Sequence, residues 1–335
     1  SNNTAIGQSS LRNNTNGIAN AALGGTALYT NTTGSYNTGL GFQSMYYNTT
    51  GVSNTAIGYN SLLANTTGTC NTATGFAALK SNTTGFCNTA SGFYALKSNT
   101  TGNYNTSTGY KSLYSSTTAD RNNAFGFQAL CNNTTGALNT AFGACTLHFN
   151  TTGNLNAAYG SDALYSNTTG CRNVSIGNLS MYLNTTGNFN TASGFYALRN
   201  NTTGCRNTAS GYLTLRDNTT GGSNSAHGAY SLRRNTTGSD NTASGYYVLN
   251  QNTTGSKNTG VGRCALTANT TGESNTAIGF ETLKANTTGA NNAAMGRCAL
   301  LANTTGYANT ALGGFGGLCS NTTGYYNVAV GNAAL

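Results

Sequence analysis

The sequence predicts an all-β fold, a parallel β-solenoid of about 20 coils, and three observations carry that expectation. The tetrapeptide Asn-Thr-Thr-Gly starts at Asn31 and returns every 17 residues to Asn99, then again from Asn133 to Asn303. Glycine and asparagine hold fixed places in every repeat, with 45 glycines among 335 residues. Proline is absent. A 17-residue period is too short for a helix pair, whose repeats run to roughly 33 residues or more. Glycine, threonine and asparagine at this density also disfavour helix. Coils that stack instead pair their backbones with the coils before and after, so almost every N–H is needed as a donor, and proline has none.

The repeat reads N-T-T-G-x-x-N-T-A-x-G-x-x-A-L-x-x, and its positions are numbered 1 to 17 below. The predicted coil has two short extended stretches, one around N-T-A-x-G and one around A-L-x-x-N-T-T, separated by glycine-bearing turns. The glycines at positions 4 and 11 suit sharp turns that need a positive φ. Position 7 is asparagine in every copy. Stacking sets identical side chains over one another, which predicts an amide ladder through Asn3, Asn20, Asn37, Asn54, Asn71, Asn88 and Asn105. Position 15 is leucine or methionine throughout and is the expected core, as at Leu62, Leu79, Leu96, Leu113, Leu130 and Met181. Position 9 is never larger than alanine or serine, leaving room for that leucine. Positions 5, 6, 12, 13, 16 and 17 vary freely and carry all 15 lysines and arginines, so they face solvent or a partner.

Residues 1–335 read as one continuous array without linkers. Coils spaced by ~4.8 Å would make a rod about 95 Å long. Three places depart from the pattern: Asn14-Thr15-Asn16-Gly17 is a variant start, Ser116-Thr117-Thr118-Ala119 replaces N-T-T-G, and Gly314-Phe315-Gly316-Gly317 carries one extra residue, expected as a bulge. The sequence begins at Ser1 (position 5) and stops at Leu335 (position 15) without capping residues. Solenoid ends need caps or partners, so the expectation is either a fragment or rods that join end to end. One leucine per coil makes a thin core, and further apolar burial is expected from other chains through positions 10, 12 and 13.

Charged residues are only 6% of the chain, against about 25% in ordinary soluble domains, which argues against a compact enzyme. Aromatic residues at 10% argue against disorder. The six acids and two histidines, His148 and His227, form no recurring acid–base set, so no enzymatic activity and no cofactor are expected. No C-x-x-C occurs, which leaves zinc unsupported. No apolar run approaches ~18 residues, so no membrane insertion is expected in this segment.

Surface candidates each carry a competing reading. The sequons at Asn31, Asn48 and Asn65 are candidate glycosylation sites, yet a sugar on every coil at ~4.8 Å cannot pack in one file, and a second structural ladder competes. Cys70 and Cys87 share position 6 in adjacent coils and are a candidate disulfide, while the odd total of nine leaves at least one thiol unpaired or interchain. Arg199, Arg216 and Arg233 occupy position 16 in three successive coils and are a candidate basic patch for an anionic glycan or a cell surface, or a solubilising stripe. They are too sparse to track a nucleic acid backbone. Phe42, Tyr59, Phe76, Phe93, Tyr110 and Phe127 form a file at position 12, suited to packing between chains or to stacking on sugars. The threonine files invite comparison with ice-binding solenoids, but adjacent threonines in a strand point to opposite faces.

Asn54-Thr55-Ala56-Ile57-Gly58 and Asn275-Thr276-Ala277-Ile278-Gly279 resemble the N-S-V-A-I-G signature of the YadA-like head repeats of trimeric autotransporter adhesins, and related arrays occur in phage and other viral fibres. The resemblance spans essentially the whole chain. It implies a left-handed parallel β-roll, three chains around one axis, and an adhesive or fibre-shaft role. This repeat is a few residues longer, usually has threonine where those have valine, and lets position 10 drift to serine, threonine or an aromatic. No stalk, anchor or chaperone segment is recognised. The expectation is therefore a structural, non-enzymatic fibre or filament segment outside the cell, at a cell or virion surface, assembling with itself as a homotrimer, end to end, or both. A carbohydrate-binding adhesin module is the alternative, with ice binding behind it.

Overall fold

The computed structural model describes residues 2–334, so Ser1 and Leu335, where the sequence stops in mid-repeat, lie outside the described residues. The chain forms two compact units, Ser1–Thr169 and Gly170–Leu335. Both are parallel β-solenoids with coils of 17 residues, and no helix occurs among the described residues. In the first unit ten strands run from β1 (Thr4–Ile6) to β10 (Ala157–Tyr159). Each pairs in parallel with the equivalent residue 17 positions on, as Thr4 with Ala21, Thr38 with Thr55 and Thr140 with Ala157. The second unit repeats this from β11 (Val174–Ile176) to β20 (Val328–Val330), with Val174 paired to Thr191 and Thr310 to Val328.

In every described coil but the two of the late irregularity, only positions 8 to 10 form a strand. The second extended stretch expected around A-L-x-x-N-T-T is a run of turns, because leucine at position 15 sits in the left-handed region: φ is +51° at Leu28, +49° at Leu96 and +50° at Leu215. Positions 6 and 13 do the same, as at Tyr36 (+59°) and Gln43 (+54°). A non-glycine residue there costs about 1 kcal/mol or more. The offset comes from the neighbouring coil. Leu28 N–H donates to Ser44 O (3.0 Å), Tyr36 N–H to Ile18 O (3.0 Å) and Gln43 N–H to Gly25 O (3.0 Å). Coil-to-coil bonding therefore continues through the turns as well as the strand. That places the demand for backbone donors on most of the repeat, a stronger reason for the absence of proline than strands alone would give.

The two glycine positions serve different ends. Position 11 needs its conformation, with φ near +133° at Gly41 and +137° at Gly92. Position 4 has no positive φ, contrary to the expectation for both. What excludes a side chain there is contact: a Cβ on Gly85 would lie 2.4 Å from Asn82 Oδ1 and 2.5 Å from Gly102 O of the next coil.

The core is one leucine wide. Leu62, Leu79, Leu96, Leu113, Leu130 and Met181 are all fully buried, stacked with the position 9 alanines. Burying each such side chain contributes about 1.5–3 kcal/mol. Positions 9 and 14 touch, and in some coils a change at one is matched at the other. Where position 14 holds Val248, position 9 of the next coil is Gly260, whose Cβ would otherwise meet Val248 Cγ1 at 2.5 Å. Where position 9 holds Ser107 or Ser175, position 14 holds Ser112 or Ser180, and the paired hydroxyls hydrogen-bond inside the core. In the second unit β18 (Ala293–Arg297) and β19 (Thr310–Phe315) are longer than the rest. Met295 faces Leu312 but Arg297 faces Phe315, which locates the extra residue as a bulge just ahead of Gly316, itself at φ +66°.

Candidate functional site: two amide ladders and an arginine groove

Asparagine at position 7 builds the predicted ladder. Asn54 donates its backbone N–H to Asn37 Oδ1 (3.0 Å) and its Nδ2 to both Asn37 Oδ1 (3.2 Å) and Gly68 O (2.8 Å). Asn71, Asn88 and Asn105 repeat all three bonds. Asn20 and Asn37 bond in the same sense, and half-buried Asn3 accepts the Asn20 N–H at 2.8 Å.

Position 1 forms a second ladder. Asn48 Nδ2 donates to Asn31 Oδ1 (2.8 Å) and to Gly51 O (3.1 Å), and Asn65 Nδ2 to Asn48 Oδ1 (2.7 Å) and Gly68 O (3.0 Å). Asn31 likewise reaches Asn14 and Gly34. Asn31, Asn48 and Asn65 are fully buried and both hydrogens of each amide are engaged. The folded coil therefore excludes them as glycan acceptors, whatever the sequon suggests. The carbonyl at position 4 joins the ladders: Gly68 O accepts from Asn65 in its own coil and from Asn54 in the coil before. A buried network satisfied at every atom holds one register, and each atom left out costs its full desolvation.

The position 1 ladder breaks at Ser116. Asn99 Oδ1 and Ser116 Oγ are buried without a hydrogen-bond partner, and Asn133 donates to Gly136 O but to no residue before it. Position 4 of that coil is Ala119, the one described coil with a Cβ there, and one of the two atoms that Cβ would strike in other coils, the asparagine Oδ1, is missing. The position 7 ladder continues past the break, with Asn105 Nδ2 donating to Ala119 O at 2.7 Å.

Outside the ladders, threonine at position 2 spends its hydroxyl on the next coil, as Thr49 Oγ1 does on Thr66 O (3.1 Å), while position 3 is exposed. Cys70 and Cys87 are exposed thiols one coil apart. Desolvation and the nearby Cys70 push the Cys87 thiol up from its ordinary value. His148 stacks on Tyr165 at 5.3 Å, and His227 bonds to Ser225 at 3.3 Å. Among the described residues no group of three or more His, Cys, Asp or Glu could hold a metal ion, and no helix is long and apolar enough to cross a membrane.

In the first unit the aromatic file from Phe42 to Phe127 stacks face to face, with centroids 4.9–5.6 Å apart and planes within 8–13°. The rings are 38–50% exposed. Each covers its neighbour's face, so what reaches solvent is a ridge of ring edges.

In the second unit the three arginines at position 16 are not a bare cationic stripe. Arg216 donates Nε and Nη2 to the two oxygens of Asp217, each at 2.7 Å, and that bond raises its already high pKa. Arg199 lies over Tyr182 and Tyr196 at 5.5 and 5.2 Å and donates to Asn200 Oδ1 at 2.8 Å. Arg233 lies over Tyr230 at 5.7 Å. Asn200 Nδ2 donates to Asp217 Oδ1 at 3.1 Å, closing a chain Arg199–Asn200–Asp217–Arg216. With Tyr196 and Tyr212 this chain lines an open groove of about 400 Å³. Sequence reasoning found Arg199 and Arg216 but missed Asn200 and Asp217. Asp217 is the one acid at position 17, but that position varies freely, holding Tyr47, Phe149, Leu183 and Arg234 in other coils, so the signal was weak.

These features define a class: a β-solenoid whose coils are registered by two internal amide ladders. Among protein families, curated proteins and solved structures, none matches this chain.

Proposed function

We propose that the chain is a structural, non-enzymatic segment of a fibre or filament outside the cell, at a cell or virion surface, which assembles with copies of itself. The observation that carries this reading is the repetition of one bonding pattern from coil to coil in each unit, with the asparagines of positions 1 and 7 consumed as internal ladders. A surface of recurring apolar ridges supports lateral association, because a ridge of ring edges repeating once per coil is matched by another surface with the same period. Covered ring faces favour this over sugar stacking at that file. A trimer about a common axis, with left-handed coils, is the arrangement suggested by the YadA-like resemblance.

The test is electron cryomicroscopy of the purified chain together with sedimentation. The fibre reading expects elongated self-associated particles with a repeat of ~4.8 Å along their length. Dispersed monomers at all concentrations would overturn it. A second reading, a carbohydrate-binding surface on the same scaffold, is favoured by the groove beside Arg199 and Arg216.

A further inference from the structure

The composition of the groove selects a ligand. It offers two guanidinium groups against one carboxylate, and the carboxylate is committed to one of them: Asp217 holds Arg216 through both of its oxygens. One positive charge is therefore left over, on Arg199. The Arg199 ring-plane contacts with Tyr182 and Tyr196 and its bond to Asn200 hold it in place, as a preorganised donor rather than a flexible surface chain. Arg216 keeps its Nη1 outside the Asp217 bonds. Around this charge stand the phenols of Tyr196 and Tyr212 and the amide of Asn200, which suit hydroxyl groups, while the exposed tyrosine carbons suit C–H faces. The volume, about 400 Å³, fits one or two sugar rings.

We propose that this groove binds an acidic saccharide, one whose sugar ring carries a carboxylate or sulfate that pairs with Arg199. The proposal rests on the carbohydrate-binding reading and names its ligand class. A nucleic acid is disfavoured because a polyphosphate backbone needs a track of cations, and here one uncompensated charge faces a pocket for a single ring. Asp217 acts as a gate on affinity: it neutralises Arg216, so the site takes one anionic group rather than two.

The test is calorimetric titration of the full chain with tetragalacturonate, a sulfated disaccharide and neutral cellotetraose, in parent protein and in R199Q, D217N and R12Q. Arg12 lies in the other unit and serves as a control for net charge. Thermal unfolding checks that each variant folds. The proposal expects a preference for at least one acidic sugar over cellotetraose. R199Q should lose about tenfold in that affinity, a charge-assisted hydrogen bond's worth, and R12Q should change it little. D217N should strengthen binding of the acidic sugar severalfold, because it releases the second guanidinium. Cellotetraose bound as tightly as the acidic sugars would overturn the acidic assignment while leaving the carbohydrate reading standing. No saccharide bound at all would overturn both. Equal losses in R12Q and R199Q, or weaker binding in D217N, would also overturn the proposal.

Discussion

Two coils of the first unit, 34 residues apart, differ in one ladder. At Asn82–Gly85 the amide bonds to Asn65 and to Gly85 O and accepts from Asn99, and the glycine leaves no room for a Cβ. At Ser116–Ala119 the amide is gone, two buried polar atoms are orphaned, and the Cβ is present. The strand register is the same through both, with Thr89 paired to Thr106 and Thr106 to Asn123. The backbone and the position 7 ladder thus suffice to hold register over one coil. The position 1 ladder and the glycine at position 4 form a linked pair: where one is lost, the other is released.

Breaking the regular coil should have the largest effect. G85A forces a Cβ against Asn82 Oδ1 and the Gly102 carbonyl, and should destabilise the first unit by about 3 kcal/mol or more in reversible denaturation. The reverse change at the irregular coil, A119G, should move stability by no more than about 1 kcal/mol. Register in the regular stretch can be fixed chemically. Oxidation with a disulfide reagent should link Cys70 to Cys87, each of which is the single cysteine of its tryptic peptide, residues 13–80 and 81–97. The resulting staple should add about 2–3 kcal/mol, and mass spectrometry should find those two peptides joined until reduction. Failure to find them joined would show that the two thiols do not meet.

A milder break is N82S, which copies the irregular coil's serine into the regular one. It leaves Asn65 Oδ1 without its donor and takes an acceptor from Asn99, and should cost about 1–3 kcal/mol. The smallest effect should come from a turn. S53G relieves a φ of +57° at an exposed position 6 residue while loosening the unfolded chain, and the two nearly cancel, leaving a change in melting behaviour of less than about 1 kcal/mol.

Periodicity made the coil, the buried leucine and the position 7 asparagine legible, because stacking turns a column of identical letters into a column of identical contacts. The left-handed turns were not legible. Leucine carries no sequence mark of a positive φ, and Leu96 adopts one because the coil above supplies Ser112 O as acceptor for its N–H. Position 4 looked like a turn glycine since close approach and positive φ leave the same letter. The groove was half legible. Arginine at position 16 stood out as a file, but Asp217 is one of only six acids among 335 residues and has no period to announce it.

The central claim, that the amide of position 1 and the bare glycine of position 4 are one coupled device, is tested most directly by repairing the irregular coil. A double-mutant cycle on S116N and A119G in reversible thermal unfolding isolates their coupling. S116N alone should lower stability, since the new Oδ1 meets the Ala119 Cβ. The double variant should exceed the parent by about 1–3 kcal/mol as Asn99 and Asn133 regain partners. If S116N alone stabilises the protein as much as the double variant does, the two positions act independently and the account is wrong.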